Sequence, residues 1–322
     1  MTLRGTTLRL REPGSLIRLG LWALAAVLIV YAFVAGGYLI TVLGFAAIYA
    51  IFVTGLNFFM GYAGQVSFGQ NAFAAISGYT SAVLTSTYGW PPIAALPIGV
   101  GFAVVASLLV GYPALRLRGH YLAMATLALG MIVYEIAVEW QSVTQGYMGI
   151  SGIPPLGIGR WELIDPKQQL AFLMVVLAIA LFAAYRMKAS RFGMALSAIA
   201  GSEDAAQALG INVARYKLAA FVIAAVYAAV AGTLMAHFVG FISPEVFGLH
   251  MVIAGFMMLY VGGIGSIAGP VFGALIVSLL PETFRGFKEY QDLAYGAALI
   301  LILIFAPKGA ASLSRLIPKA RR

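Results

Sequence analysis

Apolar runs long enough to cross a membrane follow one another along almost the whole chain of 322 residues. A membrane-spanning helix needs about 20 mostly apolar residues. The ten runs lie at residues 21–34, 38–60, 66–87, 93–113, 121–141, 168–186, 217–240, 250–264, 268–281 and 292–306. The pattern predicts an all-α, polytopic membrane protein with about ten hydrophobic helices. Only 10% of the residues are charged and none is cysteine, which excludes a soluble globular enzyme, a disordered chain and a disulfide scaffold.

Two regions depart from the pattern of a straight span. Residues 66–87 and 250–281 are rich in glycine, serine and proline. A broken helix is tolerated at membrane depth only where protein or water shields its backbone. We therefore expect some of these helices to be broken or re-entrant.

Basic residues predict the orientation, because cytoplasmic loops carry an excess of lysine and arginine. With the N-terminus in the cytoplasm, sixteen of the 20 basic residues fall inside and four outside. The four are Arg160, Lys167, Arg285 and Lys288. We predict cytoplasmic N- and C-termini, with the net charge of +9 reflecting orientation rather than nucleic-acid binding. The predicted segments are a basic N-terminal segment 1–18, a membrane domain 19–306 with an outer loop 142–167 and an inner loop 187–216, and a basic tail 307–322.

The chain carries no motif for an enzyme or an energy source. It has no G-x-x-x-x-G-K-[ST] phosphate loop and no G-x-S-x-G nucleophile elbow. His120, His237 and His250 lie far apart, and no His/Asp/Glu cluster has the spacing of a metal site. We predict no catalytic residue, no metal and no cofactor bound by this chain.

Uncharged polar residues concentrate in one stretch, GLNFFMGYAGQVSFGQNAFAAISGY, at residues 55–79. They are Asn57, Gln65, Ser67, Gln70 and Asn71. Polar groups at membrane depth need partners, so these residues either bond neighbouring helices or line a wet translocation path. Glu135 is a further candidate for the path, because an intramembrane carboxylate is costly. It shares a helix face with Glu139, four residues on.

A second unusual stretch is GGIGSIAGPVFGA, residues 262–274. Gly265, Gly269 and Gly273 recur every four residues, which predicts a small-residue face for close helix contact. The alternative is a bending gate. The candidate gate or packing residues are Gly262, Gly263, Gly265, Gly269, Pro270 and Gly273.

The inner loop is predicted to be helical. Glu203 and Asp204 stand where helix polarity favours acidic residues, and Gly210 is a typical stop. Leu209, Gly210 and Ile211 then form a small apolar projection, which either lies on the lipid surface or docks into a cytoplasmic partner.

Four blocks, taken in order, resemble the LivM-like branched-chain amino-acid permease subunits of bacterial ABC importers. The blocks are GLNFFMGYAGQVSFGQNAF, RLRGHYLAMATLALG, ALGINVARYKLAAFV and GGIGSIAGPVFGA, and the resemblance covers residues 38–306. It implies an importer permease in the bacterial inner membrane that carries branched-chain or related amino acids. It also implies a paralogous permease subunit, two cytoplasmic ATPase subunits that use ATP, and a periplasmic substrate-binding protein. The coupling residues it implies are Glu203, Asp204, Ala205, Ala206, Leu209, Gly210, Ile211 and Asn212.

Two departures from the family pattern leave the substrate open. Met131 stands where such permeases often have glutamate, and Glu135 lies one turn later. Residues 144–149 read TQGYMG where the family tends toward T-G-G-x-[DN]-G. Urea or short amides are the alternative substrates. An ion-coupled secondary transporter is the alternative class, although it needs more buried charge and inverted repeats.

Overall fold

The computed structural model describes residues 37–158, 161–283, 296–297 and 300. The predicted run at 21–34 lies outside the described residues, as does most of the run at 292–306. Within the described ranges, six helical segments are long and apolar enough to cross a membrane.

The described chain is almost entirely helical. In chain order, the α-helices are α1 Tyr38–Asn57, α2 Gln70–Ser86, α3 Pro92–Ala114, α4 His120–Glu139, α5 Gln141–Thr144, α6 Pro166–Lys188, α7 Arg191–Gly201, α8 Glu203–Ala208, α9 Val213–Val239, α10 Leu249–Gly262 and α11 Gly269–Thr283. A π-helical turn, Phe58–Tyr62, extends α1, and two 3₁₀ turns span Gly146–Met148 and Pro244–Phe247. Four two-residue strands, β1 Ile150–Ser151, β2 Gly157–Ile158, β3 Trp161–Glu162 and β4 Phe241–Ile242, form two antiparallel pairs, β1 with β4 and β2 with β3.

Helices α1 and α9 form the centre of the bundle, and most of their residues are buried. Helix α2 packs against α9 and α3, while α6 and α11 pack against α1. The outer helices α3 and α6 expose large apolar side chains such as Phe102, Leu109, Ile179 and Phe182. Helices that are apolar on their exposed side as well as their buried side are typical of a membrane protein.

Polar pairs fix α2 against α9. Ser77 Oγ and Thr233 Oγ1 are 2.8 Å apart, and Ser81 Oγ lies 2.7 Å from His237 Nε2. His237 Nδ1 is 2.8 Å from the carbonyl oxygen of Pro154. Because that carbonyl can only accept, Nδ1 carries the proton and Nε2 accepts from Ser81. The buried imidazole thus joins the helix pair to the predicted outer loop.

The predicted breaks are present. After α1 and its π-helical turn, the chain is irregular through Gly69 before α2 begins. Helices α10 and α11 have 14 and 15 residues and are joined by residues 263–268. Each is shorter than the about 20 residues of a full span.

The contact between α2 and α9 generates a stability prediction. A Cβ added at Gly232 would meet the backbone carbonyl of Ala74, which cannot move aside as a side chain could. We expect Gly232→Ala to destabilise the protein by about 1–3 kcal/mol. The measurement is the thermal unfolding midpoint of the detergent-purified protein.

Gly101 supplies the matched control, because it lies inside α3 with nothing within 4 Å of an added Cβ. Gly101→Ala should leave the midpoint unchanged or raise it, since alanine favours a helix by about 1 kcal/mol over glycine. Equal midpoints for the two variants would contradict the close packing of α2 on α9.

Candidate functional site

A cavity of about 350 Å³, with mostly apolar walls and a few polar side chains, lies between α2, α4 and the segment that leads into α10. We call it the mid-depth cavity. Its lining residues are Asn71, Leu127, Gly130, Met131, Tyr134, Glu135, Glu245, Gly248, Leu249, His250 and Val252. Two of the predicted path residues, Asn71 and Glu135, therefore meet there.

The depth of the cavity follows from α4. This helix has 20 residues, and Gly130 is its eleventh. At 1.5 Å per residue, Gly130 lies about 15 Å from either end of the helix. Helix α10 begins beside it at Leu249 and runs about 21 Å to Gly262. The N-terminus of α10 therefore lies beside the middle of α4.

Asn71 is the buried polar residue of the cavity, with 3% of its surface exposed. Its Nδ2 donates a hydrogen bond of 2.8 Å to the carbonyl oxygen of Phe247, in the turn before α10. Its Oδ1 has no partner within the described part of the chain. A buried acceptor without a partner costs free energy, and such a group merits a specific explanation.

The charged groups of the cavity lie on its open side. Glu135, Glu245 and His250 are exposed in the isolated chain. Met131 and Glu135 are four residues apart on α4 and line the same cavity, so the carboxylate one turn later faces the space that a glutamate at position 131 would face. Carboxylates at this depth require a water-filled space or a partner protein rather than lipid.

The structure does not bring the other predicted path residues to this cavity. Gln65 bonds α8, and Asn57 bonds the turn between α10 and α11. Ser67 is buried, with Oγ 3.5 Å from Gly69 N. Gln70 is buried with both polar atoms of its amide unpartnered among the described residues.

Asn57 and Lys188 hold the turn at the far end of α10. Asn57 Oδ1 accepts from Gly265 N at 2.8 Å, and its Nδ2 donates to the Ser266 carbonyl at 2.7 Å. Lys188 Nζ donates to the carbonyl of Gly265 and lies 4.7 Å from the centroid of the Tyr62 ring. Helix α1, through Asn57, and helix α6, through Lys188, thus both form hydrogen bonds with the turn between α10 and α11.

The prediction that Gly265 shares a helix face with Gly269 and Gly273 is wrong. Gly265 lies in the turn with φ +76°, four residues before α11 begins, so it cannot share a helix face with Gly269 and Gly273. The close contact is made differently: an added Cβ at Gly273 would meet the Met258 carbonyl, and one at Gly262 would meet the Gly269 carbonyl. The two helices of the hairpin therefore touch backbone to backbone. Gating by these residues stays a prediction.

Glu203, the first residue of α8, is the centre of a charged network. Its Oε1 accepts from Lys217 Nζ at 2.6 Å and from Gln65 Nε2 at 2.9 Å, and its Oε2 lies 3.9 Å from Arg118 Nε. The side chain of Lys217 is 3% exposed, whereas that of Arg118 is 72% exposed. The buried pair with Lys217 therefore matters most, since exposed ion pairs contribute little.

The remaining predicted coupling residues differ in how exposed they are. Leu209 is 81% exposed, beside an open Gly210 with φ +82° that ends the helical segment. Asp204 and Ala205 are also exposed, Ile211 is half-buried and Ala206 is buried. Ser202 and Asn212 cap α8 and α9 by accepting from Ala205 N and Arg215 N. The apolar projection is thus available to a partner, whereas Glu203 and Ala206 attach it to the bundle.

Sequence reasoning missed Tyr134, Glu245 and His250 as neighbours of the candidate path. A usable signal was present, because an apolar run begins at residue 250, five residues after Glu245. Among the described residues, no three His, Asp or Glu side chains come together as a metal site would require.

A bundle of membrane-spanning helices with a mostly apolar cavity that holds a few polar side chains, and with exposed short helices at its basic end, is typical of the membrane subunit of a transporter. The chain belongs to the family of branched-chain amino acid transport system permease components, which matches residues 38–306. The expected family is therefore confirmed, and the chain is a multi-pass membrane protein.

Individual relatives agree with this membership. The chain is 33% identical to the high-affinity branched-chain amino acid transport system permease protein LivM of Escherichia coli (strain K12), over 92% of this chain and 76% of that protein. It is 30% identical to LivH of the same organism, over 81% and 90%. It is 27% identical to BraD of Pseudomonas aeruginosa, also over 81% and 90%.

The Glu203 network generates a second prediction. Glu203→Ala leaves the buried ammonium of Lys217 without its carboxylate, and breaking a buried pair in this way costs about 3–5 kcal/mol. We expect a lower thermal unfolding midpoint in detergent. The double variant Glu203→Ala with Lys217→Met should recover most of the loss, because no buried charge is left unpaired.

Asp204 is the control, since it is the next acidic residue of α8 and is exposed. Asp204→Asn should change stability by no more than about 0.5 kcal/mol. Similar losses for Glu203→Ala and Asp204→Asn, or no recovery in the double variant, would show that the pair does not hold α8.

Proposed function

We propose that this chain is one permease subunit of an ABC-type importer that moves branched-chain or related amino acids across the bacterial inner membrane. The observation that carries the proposal is membership of the permease family over residues 38–306. LivM and LivH are both named as permease proteins of a high-affinity branched-chain amino acid transport system, and this chain resembles both. Pairing with a paralogous permease is consistent with that double resemblance.

The distribution of charge supports an orientation with the coupling end in the cytoplasm. The described basic residues at or beside the ends of α3, α4, α6 and α9 that adjoin α8 are Arg116, Arg118, Arg186, Lys188, Arg191, Arg215 and Lys217. Lys167 lies at the opposite end, at the start of α6. The positive-inside rule then favours a cytoplasmic position for α8 and an outer position for the 142–167 loop, which would face a periplasmic substrate-binding protein.

In the proposed mechanism, the chain itself performs no hydrolysis. Two cytoplasmic ATPase subunits bind the projection formed by Leu209, Gly210 and Ile211 and displace α8. The ion pair between Glu203 and Lys217 transmits this displacement to α9. The hydrogen bond between Gln65 and Glu203 transmits it to the irregular segment before α2. The mid-depth cavity, which Asn71 lines six residues further along, is the proposed substrate path.

The projection generates a prediction for coupling. Gly210→Arg places a long charged side chain beside Leu209, where an apolar surface is needed to dock a partner. We expect the variant to insert normally but to lose copurification of the ATPase subunits and ATP-dependent uptake of radiolabelled leucine.

Gly89→Arg is the matched control. Gly89 also has positive φ, at +67°, has nothing within 4 Å of an added Cβ, and lies in the loop between α2 and α3. Both variants carry the same backbone strain, so only the docking surface differs. Normal ATPase copurification with Gly210→Arg would contradict the proposed coupling site.

Orientation is tested directly because the chain contains no cysteine. We expect Lys167→Cys to react with a membrane-impermeant thiol reagent added from the periplasmic side, and Arg191→Cys to react only after the membrane is opened. Both positions are exposed, so accessibility in the folded chain does not distinguish them. The reverse labelling pattern would overturn the topology.

Reconstitution separates the proposal from its alternatives. Uptake of leucine into liposomes should require the ATPase subunits, ATP and the binding protein. Uptake by the purified chain alone, driven by an ion gradient, would instead establish the secondary transporter. Uptake of urea or acetamide in place of leucine by the complete system would establish the alternative substrates.

A further inference from the structure

The mid-depth cavity presents a hydrogen-bond acceptor that the protein itself leaves unused. The carbonyl oxygen of Phe247 can only accept, so the side-chain amide of Asn71 must turn its Nδ2 toward it. Oδ1 then faces the other way, toward Gly130, which also lines the cavity. With 3% of Asn71 exposed, neither bulk water nor a described residue satisfies this oxygen. It is therefore a buried acceptor at the edge of the cavity that the described chain leaves unpaired.

The same cavity presents unused donors from the backbone. The N–H groups in the first turn of an α-helix have no acceptor within the helix, and the helix dipole makes that end attractive to anions. Helix α10 begins at Leu249 after Gly248, and no side chain caps it. Gly248, Leu249 and His250 all line the cavity. Half-length helices that open at mid-membrane are a recurrent way to bind an anionic group of a substrate.

The other residues that line the cavity are of two kinds, acidic and apolar. Glu135 and Glu245 contribute carboxylates, which attract a cation. Leu127, Met131 and Val252 contribute apolar surface. A ligand that uses all four features needs an anionic group, a cationic group close to it, and an aliphatic body. Urea can form hydrogen bonds with both, but it carries no charge to balance the carboxylates and no aliphatic body to fill the apolar part of the cavity.

We propose that the mid-depth cavity is a binding site for the zwitterionic head of an aliphatic α-amino acid. The substrate carboxylate accepts hydrogen bonds from the first-turn N–H groups of α10. Its ammonium donates to Asn71 Oδ1 and to the carboxylate of Glu245 or Glu135, and its aliphatic side chain lies against Leu127, Met131 and Val252. This inference rests on the proposed function and adds where the chain itself recognises the substrate.

The test uses a single cysteine in the otherwise cysteine-free chain, assembled in its complete transporter complex. Met131→Cys is reacted with a small methanethiosulfonate reagent, and the modified fraction is measured by mass spectrometry. Three probes are compared: L-leucine, L-leucinamide, which lacks the carboxylate, and 4-methylpentanoate, which lacks the ammonium. We expect L-leucine alone to slow the reaction.

Met148→Cys controls for general effects of the probes. Met148 is 85% exposed in the outer loop and does not line the cavity, so none of the probes should protect it. Equal protection of Met131→Cys by all three probes would show that only the aliphatic body is recognised. Absence of protection by L-leucine would show that the amino acid does not occupy this cavity. Either result overturns the proposal.

Recognition by charge is tested in the Met131→Cys background. Adding Glu245→Gln or Asn71→Ala should raise the L-leucine concentration that halves the reaction rate by about tenfold or more, because hydrogen bonds to charged groups are the strong ones. Glu139→Gln is the matched control, since Glu139 is on the same helix as Glu135 but does not line the cavity. An effect of Glu139→Gln equal to that of Glu245→Gln would attribute the change to net charge rather than to contact.

Failure of this inference is distinguishable from failure of the proposed function. ATP-dependent leucine uptake by the wild-type complex with no protection of Met131→Cys would leave the importer intact and remove this site. Absence of leucine uptake by the wild-type complex would remove the proposed function itself.

Discussion

A backbone that breaks in the middle of a membrane must have its polar groups satisfied by protein, water or ligand. The start of α10 is such a break, and the arrangement of the whole chain around it follows from that requirement. Asn71 donates to the carbonyl of Phe247, two residues before the helix, and Met251 N donates to that of Gly248. Asn57 and Lys188 brace the opposite end of α10 through its turn into α11. At the start of α10, backbone N–H donors and one side-chain acceptor, Asn71 Oδ1, remain unpaired among the described residues, and they lie at the mid-depth cavity.

The connection from the exposed projection to that cavity is short and continuous. Glu203 on α8 bonds Gln65, in the irregular segment between α1 and α2. Three residues later, Phe68 N donates to Thr126 Oγ1 on α4 at 3.0 Å. Thr126 lies one turn before Gly130, and Asn71 follows Phe68 by three residues. In the proposed coupling, a displacement of α8 would act on both walls of the mid-depth cavity. Irregular backbone suits this role, because a helix in its place would have fixed the distance between Gln65 and Asn71.

The sequence predicted what depends on local pattern. Ser202 and Gly210 delimit the α8 segment, as capping chemistry and the left-handed preference of glycine require. Two separate apolar runs, 250–264 and 268–281, predicted the separate α10 and α11. Pattern alone could not assign partners to the polar residues between Asn57 and Asn71, because their contacts come from residues up to 209 positions away. The same limit explains the error at Gly265: a four-residue spacing predicts a helix face only if the chain is already helical there.

The single chain leaves Glu135, Glu245 and His250 on an open surface beside exposed apolar residues such as Met131, Ile132 and Leu249. Burying a carboxylate against lipid is far costlier than facing water or another polar protein surface. Covering this face with a second permease would enclose the mid-depth cavity and leave the apolar sides of α3 and α6 for the bilayer. The cavity would then be a path shared by two chains, with one wall built from the break at α10. The charges that make the isolated surface unsuited to lipid are the charges that a zwitterion passing between the two chains could use.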